Sequence, residues 1–266
     1  MSVHVGRRDV VRASGPETVT YLQGQLSQDV TRLAPAESAW SFILQPQGKV
    51  DAWFRLTRTG DDSFLLDVDA GWGDVLLARL QRFKLRTKCD LELETWDWHA
   101  YRGEAAGDID APIFADVHWN GPGTDVIGPD LGEPADTARI DADDFARLRI
   151  LAGVPAMGSE MDENTIPAEA GVVEQSVSFT KGCYTGQELV ARIDSRGNNT
   201  PRKLRLVRGS GAVPSPDSFE SLLGDAGRIT SAAPDGDGWV ALAYLGRAVE
   251  VPTEQDGMTF SEIGAS

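Results

Sequence analysis

Ten residues, Lys181 to Val190 (KGCYTGQELV), constrain this chain more than any other stretch. They set a cysteine beside a lysine, between two glycines, directly ahead of an amphipathic run. Thr185 and Glu188 have the T-x-x-E spacing of a capping box, which predicts a helix beginning at Gly186 with Leu189, Val190 and Ile193 on its apolar side. The first turn of a helix leaves N–H groups unpaired and carries partial positive charge. Cys183 falls two residues before that cap, and Lys181 adds a full charge, so both are expected to favour thiolate over thiol. The same spacing also fits a bland role, with Cys183 a small buried hydrophobe. Gly182 and Gly186 imply tight turns or a close approach of another molecule to the backbone.

The rest of the chain bounds the setting. At 266 residues and 41% apolar content it can bury a sizeable core split among two or three subdomains. No apolar run is long enough to cross a membrane. The start, MSVHVGRRDVV, lacks the apolar stretch of a secretory signal, and two cysteines make no disulfide framework, so a cytoplasmic location is expected. The net charge of −16 argues against direct nucleic-acid binding. Two islands run the other way. Lys181, Arg192, Arg196, Arg202, Lys203, Arg205 and Arg208 outweigh Glu188 and Asp194, and Arg79, Arg82, Lys84, Arg86 and Lys88 outweigh Asp90. They fit an anionic ligand or, equally, solvated faces of a helix and of edge strands.

Periodicity indicates an α+β architecture. Pro16 at a first helical position opens a short helix with Val19, Leu22 and Leu26 on one face. Trp40, Phe42 and Leu44 alternate as a strand. Val50–Thr59 and Ser63–Val68 form a hairpin, Gly71–Lys84 a helix and Leu91–Trp96 a further strand. Asp141–Ala152 reads as a helix closed by Gly153. Short strands follow Pro201, as in a small barrel, and Thr253–Ser266 reads as a loose tail. There is no G-x-S-x-G elbow, no H-E-x-x-H pair, no phosphate-binding glycine loop and no spacing of cysteines and histidines that makes a metal site.

K-G-C-Y-T-G-Q-E resembles the signature of the YgfZ-type folate-binding proteins, relatives of the aminomethyltransferase (T protein) of the glycine cleavage system. The resemblance extends through YLQGQLSQDV (Tyr21–Val30), QGKVD (Gln47–Asp51), QRFKLRTKC (Gln81–Cys89), Arg147–Gly153, Ile166–Gly171, ARIDSRGN (Ala191–Asn198) and DAGRITS (Asp225–Ser231). It implies three subdomains in a ring around a folate channel. These would be a discontinuous folate-binding unit of residues 1–45 plus 140–200, a ferredoxin-like α+β central domain of residues 46–139, and a C-terminal β-barrel of residues 201–252, with residues 253–266 a flexible tail.

The resemblance further implies a tetrahydrofolate-binding protein that supports assembly or repair of iron–sulfur clusters in client enzymes, tRNA-modifying ones included, with client or assembly proteins as partners. Cys183 would act on the cluster or on a sulfur-bearing intermediate, tuned by Lys181. Gly182, Tyr184, Gly186, Gln187 and Glu188 would shape its surroundings. Glu160, Glu169, Arg192, Arg196, Lys84 and Arg86 are the candidate folate contacts. Two departures separate the chain from the aminomethyltransferases. Their aspartate pair is reduced here to Asp51, and the glutamate of their R-L-E-A-G run is Leu151 in Arg149–Gly153. Loss of an acid that pairs with pterin nitrogens weakens specificity, so a glycine-cleavage enzyme is not expected. A folate-dependent one-carbon transferase and a non-catalytic adaptor with a structural cysteine remain as alternatives.

Overall fold

A strand that periodicity does not reveal organises the molecule. In the computed structural model, which describes residues 1–104, 106–107, 109–134 and 137–264, the chain opens with β1 (Ser2–Ser14). This strand pairs antiparallel with two neighbours over much of its length, and its middle buries Arg8 and Asp9 beside Val10 and Val11. Charged residues at interior positions break the apolar alternation by which half-buried strands are recognised. Each is balanced. Arg8 pairs with Asp67 and Asp69 at 2.6 Å each. Asp9 accepts the backbone N–H groups of Gly71 (2.7 Å) and Gly73 (3.0 Å), and so caps a helix that belongs to a different segment of chain.

After β1 come α1 (Thr18–Gln25), β2 (Ser38–Leu44), β3 (Val50–Gly60), β4 (Ser63–Asp69), α2 (Gly73–Lys84), β5 (Asp90–Arg102), β6 (Ile113–His118), β7 (Pro122–Gly128) and β8 (Ala138–Arg139). These strands form one eight-stranded sheet in the order β2-β3-β4-β1-β5-β7-β6, with β8 parallel to the start of β1. The main core lies between this sheet and α1 and α2. Leu22, Leu26, Phe42, Phe54, Leu66, Leu76 and Leu80 are fully buried there. Pro16 sits ahead of α1, which begins at Thr18, two residues later than its φ preference suggests.

α3 (Ala142–Leu151) starts at Asp141, whose carboxylate accepts the Asp144 N–H at 2.8 Å, and ends before Gly153 at φ +67°. α4 (Val173–Ser176) and α5 (Gln187–Asp194) follow. The second sheet holds β9 (Arg202–Ser210), β10 (Gly227–Asp235), β11 (Gly238–Gly246), β12 (Thr253–Gln255) and β13 (Met258–Ser261), in the order β10-β11-β9-β13-β12. Strand β11, between β10 and β9, is buried on both faces. Trp239, Ala241, Ala243 and Leu245 join one apolar cluster, while Val240, Leu242 and Tyr244 join another with Ile150 of α3.

The loose tail expected over Thr253–Ser266 is a correction. Its strands β12 and β13 pair as a hairpin, β13 pairs with β9, and Phe260 is buried. Backbone pairing and two buried side chains, Met258 and Phe260, order a segment too short to show a period. Ala265 and Ser266, the last residues of that expectation, lie outside the described residues. No helix among the described residues is long and apolar enough to cross a membrane.

Candidate functional site

Two glycines lock the cysteine segment onto the first sheet. Gly186 stands at φ +83° as the residue before α5, and a Cβ there would lie 2.5 Å from the Gln45 carbonyl oxygen and 2.8 Å from Leu44 Cβ. Gly48, in the β2–β3 turn, has φ +85°, and a Cβ there would meet Leu189 Cβ at 2.5 Å and the Gly186 oxygen at 2.9 Å. Backbone therefore meets backbone where the QGKVD turn touches the cysteine segment. Only glycine permits both the approach and the left-handed conformation.

That geometry corrects the expected capping box. The helix begins at Gln187, and no Thr185 side-chain cap forms. The left-handed Gly186 changes the direction of the chain between Thr185 and the first turn. Gln187 supplies a local bond instead, its Oε1 accepting the Tyr184 N–H at 3.2 Å. Glu188 is exposed in the first turn of α5, and Tyr184 is buried in the main core.

Lys181 holds the other side of the segment. Its Nζ donates to the carbonyl oxygens of Gln23 (2.8 Å), Leu26 (2.6 Å) and Gln28 (2.9 Å), and lies 5.2 Å from the Tyr184 ring centre. Burial lowers its pKa to about 8, against a smaller opposing effect of Asp29. All three ammonium hydrogens are engaged by carbonyls at the end of α1, so none remains for the Cys183 sulfur. Lys181 is thus an anchor of the segment, a role its spacing from the cysteine did not suggest. The Thr185 N–H adds a bond to the Gly24 carbonyl at 3.3 Å. Between these anchors Gly182 and Cys183 are exposed, as is Phe179 at 50%. Cys89, by contrast, is fully buried, and burial raises its thiol pKa.

Asp51 lies beneath the same region. Arg79 holds it, Nε to Oδ2 at 2.9 Å, and also donates Nη2 to the Leu44 carbonyl at 2.7 Å. Burial nevertheless raises the Asp51 pKa. Arg79, counted in a basic island, is therefore a buried structural cation.

The six candidate folate contacts do not gather around one cavity. Glu160 is 2% exposed and its carboxylate takes four hydrogen bonds: Arg149 Nη1 (2.8 Å), Ala156 N (2.9 Å), Thr230 Oγ1 (2.8 Å) and Ser231 Oγ (2.7 Å). Four bonds fill the lone pairs of a carboxylate. Glu169 is buried and pairs with Arg202 at 3.1 Å. Arg192 and Arg196 are exposed on and after α5, and Lys84 is half-buried at the end of α2. Arg86 lines a separate groove with Glu17, Thr20, Tyr21 and Thr87.

A cavity of about 480 Å³ lies elsewhere, walled by Trp40, Trp53, Trp119, His118, Asp116, Glu174 and Gln175, with Ala152, Gly153 and Val154 following α3. Trp40 and Trp53 stack at 4.0 Å, and Trp53 Nε1 donates to Ser176 Oγ at 2.9 Å. Leu151, expected to stand where the aminomethyltransferases carry a glutamate, packs with the cluster on the second sheet. The acids on this cavity are Asp116 and Glu174. Sequence reading missed these residues, because the walls come from β2, β3, β6 with the turn after it, and α4, and only the tryptophan content hinted at them.

Comparison with known proteins places this architecture. The fold is that of the aminomethyltransferases: the glycine cleavage aminomethyltransferase T of Bartonella henselae superposes with a TM-score of 0.76 over 98% of this chain and 86% of its own, at 16% identity. The expected α+β, aminomethyltransferase-like fold is therefore the one found. No protein-family model matches. An uncharacterized protein of Haemophilus influenzae is 30% identical over 197 residues, 71% of this chain and 67% of that one. An iron-sulfur cluster assembly factor IBA57 homolog of Pyricularia oryzae is 31% identical, covering 75% of this chain and 55% of its own length, and the tRNA-modifying protein YgfZ of Edwardsiella ictaluri is 29% identical, covering 82% and 74%. The chain thus spans little more than half of the fungal relative. The chain belongs to the YgfZ-type family.

Proposed function

We propose that this protein binds a reduced folate in the tryptophan-walled cavity and presents Cys183 to client proteins, supporting assembly or repair of their iron–sulfur clusters. The observation that carries the reading is the presentation of Cys183. It is the exposed one of two cysteines, on a segment pinned by the three bonds of Lys181 and by the Gly48–Gly186 contact. A fixed, accessible sulfur suits an incoming cluster or sulfur-bearing intermediate as substrate, whereas a structural cysteine would be packed like Cys89. The names of the relatives, an iron-sulfur cluster assembly factor and a tRNA-modifying protein, support the same direction.

The cavity fits a folate head group by size and chemistry. Its volume lies within the range of about 300–1,000 Å³ of small-molecule sites. Its aromatic walls suit a flat bicyclic ring, and Asp116 and Glu174 can accept from ring N–H groups in place of the glutamate that Leu151 replaces. When bound, the folate would supply one-carbon or redox chemistry, while the chain's own residues stack on it, accept its donors and limit water. The transferase alternative needs a free acid in the Asp51 run, and the ion pair with Arg79 argues against it.

The test compares wild type with Cys183→Ala in two assays. Tetrahydrofolate titration and thermal melting are expected to be unchanged, while cells carrying only the variant lose activity of a cluster-dependent tRNA-modifying enzyme. Full cellular activity of Cys183→Ala would remove the role of the sulfur, and a titration with no binding by wild type, or unaltered in Trp119→Ala, would remove the cavity.

A further inference from the structure

The charge of the cavity bears on which part of a ligand it can recognise. Among the described residues its lining carries two carboxylates, Asp116 and Glu174, and no lysine or arginine. The two arginines that touch its tryptophans are buried and engaged in ion pairs. The Arg55 guanidinium lies 5.7 Å from the Trp40 ring centre and pairs with Asp67 (2.9 Å) and Asp125 (3.0 Å). The Arg102 guanidinium lies 4.0 Å from the Trp119 ring centre and pairs with the other oxygen of Asp125 at 2.8 Å. With Arg8 and Asp69 this ion-pair network holds three arginines and three aspartates, a net charge of zero. Arg102 Nε lacks a partner but is sealed from solvent, out of reach of a ligand. Arg192, Arg196, Lys84 and Arg86, the cations expected to meet an anionic ligand, lie outside this lining.

We propose, building on the folate-site reading above, that this cavity recognises the bicyclic head of a reduced pterin and not its glutamate arm, so that unconjugated tetrahydropterins are ligands in their own right. The walls offer flat aromatic surface and acceptors, which match a ring bearing an amino group and ring N–H donors. They offer a carboxylate no lysine or arginine, only the neutral donors of His118 and Gln175, and it would meet the like charges of Asp116 and Glu174. The arm therefore extends into solvent, where each further glutamate is screened within about 8 Å at physiological salt. Specificity for the head and indifference to the tail follow from the placement of charge. They do not depend on which one-carbon group the ring carries.

Quenching of tryptophan fluorescence reads the binding. Wild type is titrated with a tetrahydropterin bearing only a methyl group in place of the arm, with tetrahydropteroate, with tetrahydrofolate and with its triglutamate, at low and high salt. The expected result is that all four bind within about tenfold of one another, that lengthening the arm does not tighten binding, and that salt does not weaken it. Gln175→Lys places a cation on the rim at an exposed α4 position. It is expected to raise the affinity for the triglutamate relative to the pterin by about threefold or more. Tetrahydrofolate binding that exceeds tetrahydropteroate or the pterin by more than tenfold, or that falls steeply with salt, overturns head-group recognition while leaving the folate site standing. Failure of all four ligands to bind overturns the folate site itself, and this inference with it.

Discussion

Replacing Gly186 with alanine tests the anchoring of the cysteine segment most directly. The added Cβ would lie 2.5 Å from the Gln45 oxygen, inside any real contact, at a φ of +83°. A left-handed alanine costs about 1–2 kcal/mol, and forcing an extra carbon into a packed contact about 1–3 kcal/mol. The sum is about 3 kcal/mol. In a chain of this size each kcal/mol moves the midpoint by about 2–4 °C, so Tm should fall by about 6–12 °C. Gly182, four residues earlier in the same segment, is the internal control. A Cβ there meets nothing within 4 Å, and its backbone is not left-handed, so Gly182→Ala should melt with wild type. Gly48→Ala strikes the same contact from the other side. Once one glycine is lost the contact is already open, so the double variant should lose less than the two single losses added. Circular dichroism melts of the four variants beside wild type suffice. Gly186→Ala melting with wild type, or Gly182→Ala falling as far, would refute the backbone-to-backbone lock.

Three further outcomes follow. Iodoacetamide should label Cys183 alone in the native protein and both cysteines after denaturation, read by intact and peptide mass. Native labelling of Cys89 would contradict its burial. Lys181→Met removes three hydrogen bonds from a charged donor, each worth about 1.5–3 kcal/mol before burial is offset, and should lower Tm at pH 7. Because the folded pKa of about 8 lies below the free value of 10.5, the unfolded chain holds this proton to higher pH. The gap between wild type and variant should therefore widen from about pH 8 to 10.5, and a gap that narrows would mean the carbonyls outweigh burial. Arg79→Ala leaves the Asp51 carboxylate buried without its partner and should cost about 3 kcal/mol. The Asp51 pKa is already raised by burial, so its folded form holds the proton longer than the unfolded chain does. The loss should be larger at pH 8 than at pH 4 by chemical denaturation, and equal losses at both would show that Asp51 does not titrate in a buried site.

Local pattern carried much of this protein. The β3–β4 hairpin, α2 and α3 with its Asp141 and Gly153 ends all follow from periodicity and end residues, because each carries that pattern in consecutive residues. The signature around Cys183 likewise marked the exposed cysteine and named the family. Pattern failed where a partner from far away decides the conformation. β1 buries Arg8 and Asp9 because Asp67, Asp69 and the start of α2 receive them. The T-x-x-E spacing did not become a capping box because Gln45 and Gly48 force Gly186 into a left-handed turn. Lys181 went to three carbonyls of the α1 region, whose positions relative to it exist only after folding. The cavity had no linear trace, since its tryptophans and acids are assembled from four separate elements. Short-range propensity is thus written in consecutive residues. The destination of a buried charge and the walls of a cavity are decided by long-range packing, because a charge or an aromatic face takes on its role only from what is brought beside it.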